Sequence, residues 1–381
     1  MFNNPDGEGF VIVSGDSNAR SVIGYSYEGS VPMADEIPDP MKDYLLGIDE
    51  EIKWARTNLT SGNSNLKSAE VPDGGNIVKY LETPSWDQDP PYNRQCFVSY
   101  GSSTNAKTGC VPTAYAEIMW YHKWPLQGTG TLYNCQAPTY VEITNRTYDY
   151  SKMLKSYSGT YTEDQADEVA KLMSHIGHAF MVTFGSAETS VSDPQQTDKM
   201  ATYFGYKNVY ASYQKDFTLD SWKEKIQESL NNGCPIPYAS DRPTGVDTQD
   251  ARHMFVLDGY TDNDYYHFNF GWAGASNGWY AIDALVTTSN GRDYSWKEDG
   301  DSDHYAVFNF RPDKTVTVSV AVDGEGSVTI DGASVTSKEV QAGTQVTLQA
   351  TSNQATGNNF YGWMVGNDVV STETPYIFTA T

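Results

Sequence analysis

The sequence contains few cysteines, and no two of them have the spacing of a zinc or redox motif. The four cysteines are Cys96, Cys110, Cys135 and Cys234 in 381 residues. None forms a Cys-x-x-Cys pair, which excludes zinc-ribbon and thioredoxin-type sites. Four cysteines are also too few to build a disulfide scaffold in a chain of this length. We therefore expect one reactive thiol and three buried ones, with no metal site and no cofactor.

Basic residues and long apolar runs are also scarce. There are 25 Lys and Arg against 49 Asp and Glu, a formal net charge of −24, which argues against nucleic acid or an anionic membrane as the main partner. No apolar run approaches the ~20 residues of a membrane helix. No signal peptide is visible from Met1 onward. The acidic, lysine-poor composition favours a secreted protein whose leader has been removed over a cytosolic one.

Shifts in composition along the chain predict three units. Residues 1–72 contain a predicted hairpin and an amphipathic helix at about 41–57, followed by a polar, glycine-rich connection at 61–76 where proteolysis is favoured. Residues 73–312 combine predicted helices with later strands. Residues 313–381 alternate apolar and polar positions between turns, which predicts an all-β module. A helical half packed on an antiparallel sheet predicts an α+β fold.

The most informative stretch, residues 108–114, presents one cysteine at a predicted turn that opens a helix. Gly109 permits unusual backbone angles, and Pro112 suits the first turn of a helix. Cys110 would then lie at a helix N-terminus, where the dipole and free N–H groups stabilise a thiolate or a developing oxyanion. By itself the stretch is equally consistent with a buried, unreactive cysteine.

A thiol nucleophile needs a nearby base, and the base needs an acceptor that orients it. His253 opens an apolar strand that is predicted to form a hairpin with the strand carrying Asn269. The Asn269 amide is then a candidate acceptor for one imidazole nitrogen. Asp258 competes for this role, but Asp258 and Gly259 together predict a turn.

The remaining histidines are not assigned chemistry. Residues 175–178 read His-Ile-Gly-His, a string found in class I tRNA synthetases, but here it falls late in a predicted helix of a very acidic chain. His122 is expected to be structural or at the surface, and His304 is expected in an acidic loop. His267 is expected to face the opposite side of its strand from Phe268.

With Cys110, His253 and Asn269 together, the chain resembles the streptopain family of secreted bacterial cysteine peptidases, which have a papain-like fold. The resemblance covers nearly all of residues 8–312. Its Cys110 signature differs from the Cys-Gly-Ser-Cys-Trp pattern of papain itself. The matching pieces are 9–16, Gln88 with 91–93, 108–111 with 113–114, His253 with 255–260, and 268–272 with Gly274, Ser276 and Gly278.

The resemblance implies a role for each matching residue. Cys110 is implied as the nucleophile and His253 as the general base and acid, with Asn269 orienting the imidazole. Gln88 is implied as a side-chain oxyanion donor acting with the Cys110 backbone N–H, and Trp272 as the aromatic that shields the His–Asn hydrogen bond. The cleft would lie between the helical and sheet halves. Its expected substrate-binding residues are Gly109, Val111, Ser186 and Arg252.

The sequence departs from the family pattern at three positions near the expected site. Arg252 replaces the common glycine before the catalytic histidine, which bears on subsite preference. Phe270 stands where tryptophan is frequent, and Glu117 stands where glutamine is frequent. The loop 287–303 is acidic, whereas the family has a glycine-rich loop beside the active site.

The resemblance also implies how the units work together. Residues 1–72 would be the C-terminal part of an inhibitory propeptide that covers the cleft until cleavage within 61–76. Residues 313–381 more weakly resemble InlB-type β repeats, through 360–363 and the Gly-Ser-Val strands, which would make them a spacer or adhesive module.

The sequence thus predicts a secreted cysteine endopeptidase zymogen that acts on protein or peptide substrates, with a hydrophobic P2 preference implied by the family. Its own propeptide is the expected intramolecular inhibitor. A catalytically silent binding or adhesion protein on the same scaffold is the main alternative. A peptidase inhibitor formed by the N-terminal unit would explain less of the chain.

Overall fold

The computed structural model describes residues 1–5, 7–16, 19–32, 37–58, 75–134, 139–241, 252–282, 304–342, 344–353 and 359–380. The helices are α1 Asp39–Asn58, α2 Cys110–His122, α3 Glu163–Ala179, α4 Thr197–Phe204 and α5 Leu219–Asn231, with a 3-10 turn at Gln214–Asp216. The strands up to residue 280 are β1 Phe2–Asn3, β2 Phe10–Val13, β3 Val22–Ser26, β4 Ile77–Tyr80, β5 Thr131–Asn134, β6 Thr139–Glu142, β7 Tyr210–Tyr213, β8 Ile236–Asp241, β9 Arg252–Thr261, β10 Tyr266–Asn269 and β11 Gly278–Tyr280. The later strands are β12 Tyr305–Phe308, β13 Thr315–Ser319, β14 Gly326–Ile330, β15 Ser337–Gln341, β16 Gln345–Ser352, β17 Trp363–Val365, β18 Asp368–Ser371 and β19 Tyr376–Thr379.

One antiparallel sheet joins the N-terminal unit to the central unit. Its strand order is β1-β2-β3-β11-β10-β9-β8-β12-β7, with β4 also paired to β9. The junction is the β3–β11 pair, where Tyr25 lies opposite Trp279 and Gly24 lies opposite Tyr280. The N-terminal hairpin therefore extends the sheet that carries His253.

The helical half packs around α2 and α3. The helix α3 begins with a capping box, because Thr162 accepts a hydrogen bond from the Gln165 N–H and the Gln165 side chain accepts one from the Thr162 N–H; such caps stabilise a helix start. Tyr115, Ile118 and Ile176 are buried in the core that these two helices share.

The sheet half has its own core, which is rich in aromatic rings. Phe255, Phe268 and Tyr280 from three neighbouring strands pack together with Tyr44 of α1 and Trp222 of α5. Phe268 stacks on Tyr280 with ring centroids 5.2 Å apart. Large rings in such pairs contribute more than their buried area alone. The expected α+β organisation, a helical half and an antiparallel sheet half, is confirmed.

The hairpin of β9 and β10 is confirmed, but its expected turn at Asp258 and Gly259 is wrong. The strand β9 continues to Thr261. The Asp258 carboxylate is buried, accepts hydrogen bonds from the N–H and hydroxyl of Thr83, and lies 2.6 Å from Nδ1 of His267. Gly259 is needed because a Cβ there would lie 2.9 Å from the Lys79 carbonyl on β4. The Asp-Gly pair therefore serves buried strand contacts instead of a turn.

The buried histidines outside the expected site are structural. His175 and His178 lie within α3, where burial lowers the pKa of His175 to about 3 and also lowers that of His178. His122, at the end of α2, lies 2.7 Å from the Phe310 carbonyl. His304 immediately precedes β12 and is buried, with Nδ1 2.8 Å from the Tyr238 hydroxyl.

Some expectations fall on residues outside the described ranges. These are the connection at 59–74 with its cleavage site, Cys135, and the acidic loop up to residue 303. Within the described ranges, no helix has both the length and the apolar character needed to cross a membrane.

Residues beyond 313 form a separate set of strands. These strands pair as β13–β15, β14–β16–β19 and β17–β18. A small core contains Ile330, Val346, Leu348 and Trp363. The resemblance to InlB-type repeats and the unit boundaries at 72 and 312 stay predictions.

The close contact between Gly24 and Tyr280 gives a first test. A Cβ at Gly24 would lie 2.4 Å from Cδ1 of Tyr280, whose ring is fully buried. We expect Gly24→Ala to weaken docking of the N-terminal unit by about 1–3 kcal/mol, as overpacking typically does, and to lower the melting temperature of the whole chain.

Gly15→Ala is the matched control, since a Cβ at Gly15 meets nothing within 4 Å. Equal melting temperatures for the two variants in scanning calorimetry would contradict the strand junction.

Candidate active site

The Cys110 turn is built by Gly109 and Thr113. Gly109 precedes the helix with φ 93°, in the region that favours glycine, and a Cβ there would lie 3.0 Å from Cγ2 of Thr189. The Gly109 carbonyl accepts hydrogen bonds from the N–H and the hydroxyl of Thr113 at 3.1 and 2.8 Å. Cys110 is thereby held as the first residue of α2, as the sequence predicts.

The Cys110 thiol is activated by its neighbours. Burial alone would raise its pKa, but a hydrogen bond to His253, the charge of His253 and the backbone N–H groups of Met254 and Val111 together lower the pKa below its usual value. By contrast, burial raises the pKa of Cys96 and Cys234 to about 12. Because the thiolate is the nucleophilic form, Cys110 is the reactive cysteine among the three that the structure describes.

His253 contacts both the thiol and the N-terminal unit. Its ring is within hydrogen-bonding reach of Cys110, while Nε2 lies 3.5 Å from Oδ2 of Asp43. Asp43 lies on α1 with a fully buried side chain. A carboxylate from the N-terminal unit therefore faces the imidazole that the thiol needs.

The side chain of Asn269 is engaged elsewhere, so the expected hydrogen bond to His253 is absent from the described structure. Its Nδ2 donates to Oγ1 of Thr83 at 3.0 Å and to the Pro84 carbonyl at 2.8 Å. Its Oδ1 accepts from the Gly271 N–H at 3.3 Å and from Nδ2 of Asn277 at 2.9 Å.

Strand geometry explains this difference. Asn269 lies opposite Val256 in the β9–β10 pair, and opposed residues point to the same face of a sheet. Val256 belongs to the helical core, whereas Phe255 belongs to the core around α1. Alternation along β9 places His253 with Phe255, so His253 and Asn269 leave the sheet on opposite faces.

Gln88 and Trp272 lie beside the Cys110 turn. The Gln88 carbonyl accepts a hydrogen bond from the Thr108 N–H at 3.1 Å, and the Gln88 residue is buried. The Trp272 ring lies 5.9 Å from Nζ of Lys107. Both residues are therefore next to the segment that presents the thiol, while their expected catalytic roles stay predictions.

The residues expected to bind substrate are only partly brought together. The loop carrying exposed Ser186 lies against the Cys110 turn, because the Gly185 carbonyl accepts from the Lys107 N–H at 2.9 Å. Val111 is buried at the start of α2. Arg252 begins β9 opposite Asp241.

Sequence reasoning did not single out Asp43 or Thr83. Asp43 lies in α1 next to Tyr44, which is part of the sheet core, and both are buried. A carboxylate on the buried face of an amphipathic helix was the available signal for Asp43. For Thr83, which holds both Asp258 and Asn269, the sequence offered no signal.

Comparison with known proteins identifies the family. Residues 86–280, about half of the chain, match the Peptidase C10 family. The chain belongs to the peptidase C10 family. It is a cysteine-type peptidase, and the streptopain-like resemblance is confirmed.

The N-terminal unit has a match of its own within this C10 chain. Residues 1–52 match the Spi protease inhibitor family. An inhibitor-like domain therefore precedes the peptidase domain.

Individual relatives agree with this assignment. Streptopain of Streptococcus pyogenes is 30% identical over 311 residues, covering 74% of this chain and 73% of streptopain. The thiol protease/hemagglutinin PrtT of Porphyromonas gingivalis is 27% identical over 76% of this chain but only 34% of PrtT.

Two similar solved structures are interpain A proteins of Prevotella intermedia. A prointerpain A fragment has a TM-score of 0.61 at 29% identity, covering 80% of this chain and 93% of the fragment. Active interpain A has a TM-score of 0.52 at 29% identity, covering 62% of this chain and 96% of that one. The papain-like α+β fold of this C10 chain is thereby confirmed.

The electrostatics of Cys110 predict its alkylation profile. We expect His253→Ala to move the midpoint of Cys110 alkylation to higher pH, because the hydrogen bond and charge that lower the thiol pKa are lost. The rate of iodoacetamide labelling between pH 5 and 10 measures this on uncleaved chain.

Cys96 and Cys234 are internal controls, since both are buried with raised pKa values. They should stay unlabelled at pH 8. If the pH midpoint of Cys110 alkylation is the same in the wild-type chain and in His253→Ala, the thiolate assignment is contradicted.

Proposed function

We propose that this chain is a secreted cysteine endopeptidase in zymogen form. The observation that carries the proposal is the contact of the Cys110 thiol, at the start of α2, with the His253 ring on β9. A nucleophile and base within hydrogen-bond reach are the signature of covalent catalysis. Sequence similarity to streptopain and PrtT over most of the chain supports the same chemistry.

The proposed reaction is acyl transfer through a thioester. The Cys110 thiolate attacks a peptide carbonyl, and the Gln88 side chain and the Cys110 N–H hold the oxyanion. His253 gives its proton to the leaving amine, then takes one from the water that hydrolyses the thioester. By the family resemblance, Asn269 would orient the imidazole in the processed enzyme, and Trp272 would shield that hydrogen bond.

Latency is proposed to reside in the N-terminal unit. Asp43 of α1 faces the imidazole at 3.5 Å, and Asn269 bonds to other groups. The contact with the buried Asp43 carboxylate would hold the imidazole in a position where Asn269 does not orient it. Cleavage in the connection 61–76 would release α1 and remove that contact.

Substrate preference is proposed from the family and one departure from it. A hydrophobic P2 residue is implied for the substrate, with Gly109, Val111 and Ser186 lining the cleft. Arg252, which precedes His253, adds a positive charge that the usual glycine lacks. The C-terminal strands would serve as a spacer or adhesive module.

A silent binding or adhesion protein is the alternative that the sequence left open. The lowered pKa of Cys110 and its contact with His253 favour the peptidase, since a silent scaffold has no need of an activated thiol.

Loss of the thiol tests the reaction. We expect Cys110→Ala to abolish cleavage of a fluorogenic peptide, with kcat/KM reduced by at least about 10⁴-fold, because the covalent step has no substitute nucleophile. Cys96→Ala, at a buried thiol whose pKa is raised by burial, is the control and should keep wild-type rates. Retained cleavage by the Cys110→Ala chain would refute the proposal.

The contact between Asp43 and His253 tests the latency. We expect Asp43→Asn to speed self-processing about tenfold, because losing a charge-assisted interaction of about 1.5 kcal/mol changes an equilibrium by that factor. Gel analysis of uncleaved chain over time measures the rate.

Asp49→Asn is a matched control, since Asp49 lies on the same helix, is half exposed and pairs with Lys53 at 2.9 Å. Equal processing of the two variants would show that Asp43 does not restrain the histidine.

A further inference from the structure

Glu117 is a buried carboxyl group on the catalytic helix that the proposed reaction does not use. It lies seven residues after Cys110, two turns along α2, and therefore on the same side of the helix. The residue has no exposed surface. Burying a carboxyl group without hydrogen bonds costs free energy. The contacts of Glu117 therefore show what the buried group does.

Those contacts reach two other parts of the site. Oε1 of Glu117 accepts a hydrogen bond from the Trp86 N–H at 3.1 Å. Asn269 lies near enough to act on the carboxyl group electrostatically, but its Nδ2 donates to Thr83 and Pro84. Glu117 thus links the cysteine helix to the segment before Gln88 and lies beside the strand that carries Asn269.

Trp86 is a crosslink for the loops around the site. Its N–H donates to Glu117, and its carbonyl accepts from the Ala273 N–H at 2.7 Å, next to Trp272. Two residues later in the chain, the Gln88 carbonyl accepts a hydrogen bond from the Thr108 N–H. The position of the Gln88 side chain therefore depends on how Trp86 is held by α2.

We propose that Glu117 is a positioning residue, retained as the neutral carboxylic acid, that holds the Gln88 segment in register with the Cys110 helix through the Trp86 N–H. The role assigned here rests on the proposed function of Gln88. It gives a physical account of a carboxyl group at a position where the family often has glutamine: the neutral acid offers the same carbonyl acceptor in a similar shape.

The surroundings favour the neutral acid. Oε2 is buried without a hydrogen-bond partner among the residues that the structure describes. Burial is the largest influence and raises the pKa of Glu117 well above its usual value. The Trp86 N–H and Asn269 lower this pKa, while the negative charges of Asp258 and Asp87 raise it. Tyr92, whose own pKa is raised by burial and by Glu117, also faces this group.

The first experiment compares Glu117→Gln with Glu117→Met in the full chain after processing. Glutamine keeps the acceptor for the Trp86 N–H, so we expect kcat/KM within about threefold of wild type. Methionine fills the space without an acceptor, so we expect kcat to fall about 10–100-fold with KM changed less than about threefold, since oxyanion contacts act in the transition state.

Ile118→Ala is the matched control, because Ile118 is the next residue of α2 and is equally buried. It should lower the melting temperature and leave kcat unchanged. A fall in melting temperature without a fall in kcat for Glu117→Met would reduce Glu117 to packing and overturn the proposal.

A double-mutant cycle with Gln88→Ala tests the route of the effect. If Glu117 acts through Gln88, then adding Glu117→Met to a Gln88→Ala chain should lower kcat by less than about threefold. If the losses in activation free energy caused by Glu117→Met and by Gln88→Ala add fully in the double variant, the link to Gln88 is overturned.

A stability measurement separates this proposal from the proposed function. With a raised folded pKa, Glu117 costs the folded chain stability as pH rises above its ordinary value of 4.5. In the inactive Cys110→Ala background, we expect Glu117→Gln to melt at nearly the same temperature as its parent at pH 4.

As the pH rises above 4.5, the melting temperature of the glutamine variant should exceed that of its parent by about 2–4 °C more for each pH unit. A difference that stays constant with pH would show an ionised Glu117 and overturn the neutral-acid assignment. Peptide cleavage that survives Cys110→Ala would instead refute the proposed function and leave this thermal result standing.

Discussion

The pairing of the Cys110 thiol with the His253 imidazole is the interaction on which the rest of this structure depends. A buried thiol in apolar surroundings has a raised pKa, as Cys96 and Cys234 do. Cys110 differs because a histidine and two backbone N–H groups act on the same sulfur. The helix start at Gly109 and the edge of β9 must both be fixed for that contact to exist, and the two cores on either side of the sheet fix them.

The same sheet explains how an inhibitor-like unit reaches the site. Strand β3 continues the sheet at β11, and α1 then packs on the sheet face that carries Phe255 and His253. Asp43 is thereby delivered to the imidazole from the face opposite Asn269. In the proposed zymogen, this contact with Asp43 would restrain the histidine until the N-terminal unit is cleaved away.

Much of the fold and the dyad followed from local patterns. Gly109 and Pro112 around Cys110 predict a helix start, and the apolar run after His253 predicts a strand with a hairpin partner. Both were confirmed because they depend on neighbours in sequence. The turn expected at Asp258 was wrong because its carboxylate is buried between Thr83 and His267, and no local pattern contains those partners. The burial of His304 against Tyr238 likewise depends on a partner that lies far away in the sequence.

The sequence by itself determined the α+β class, the helix start that presents Cys110, and membership of a cysteine peptidase family, since residue type and chain order encode them. Only the tertiary structure decided which face of the sheet each catalytic side chain leaves, and which carboxyl groups come near them. Asp43 reaches His253 across more than 200 residues of chain, and Glu117 accepts a hydrogen bond from Trp86, which lies 31 residues earlier. Such contacts arise from packing of distant elements, where register and burial decide the partners.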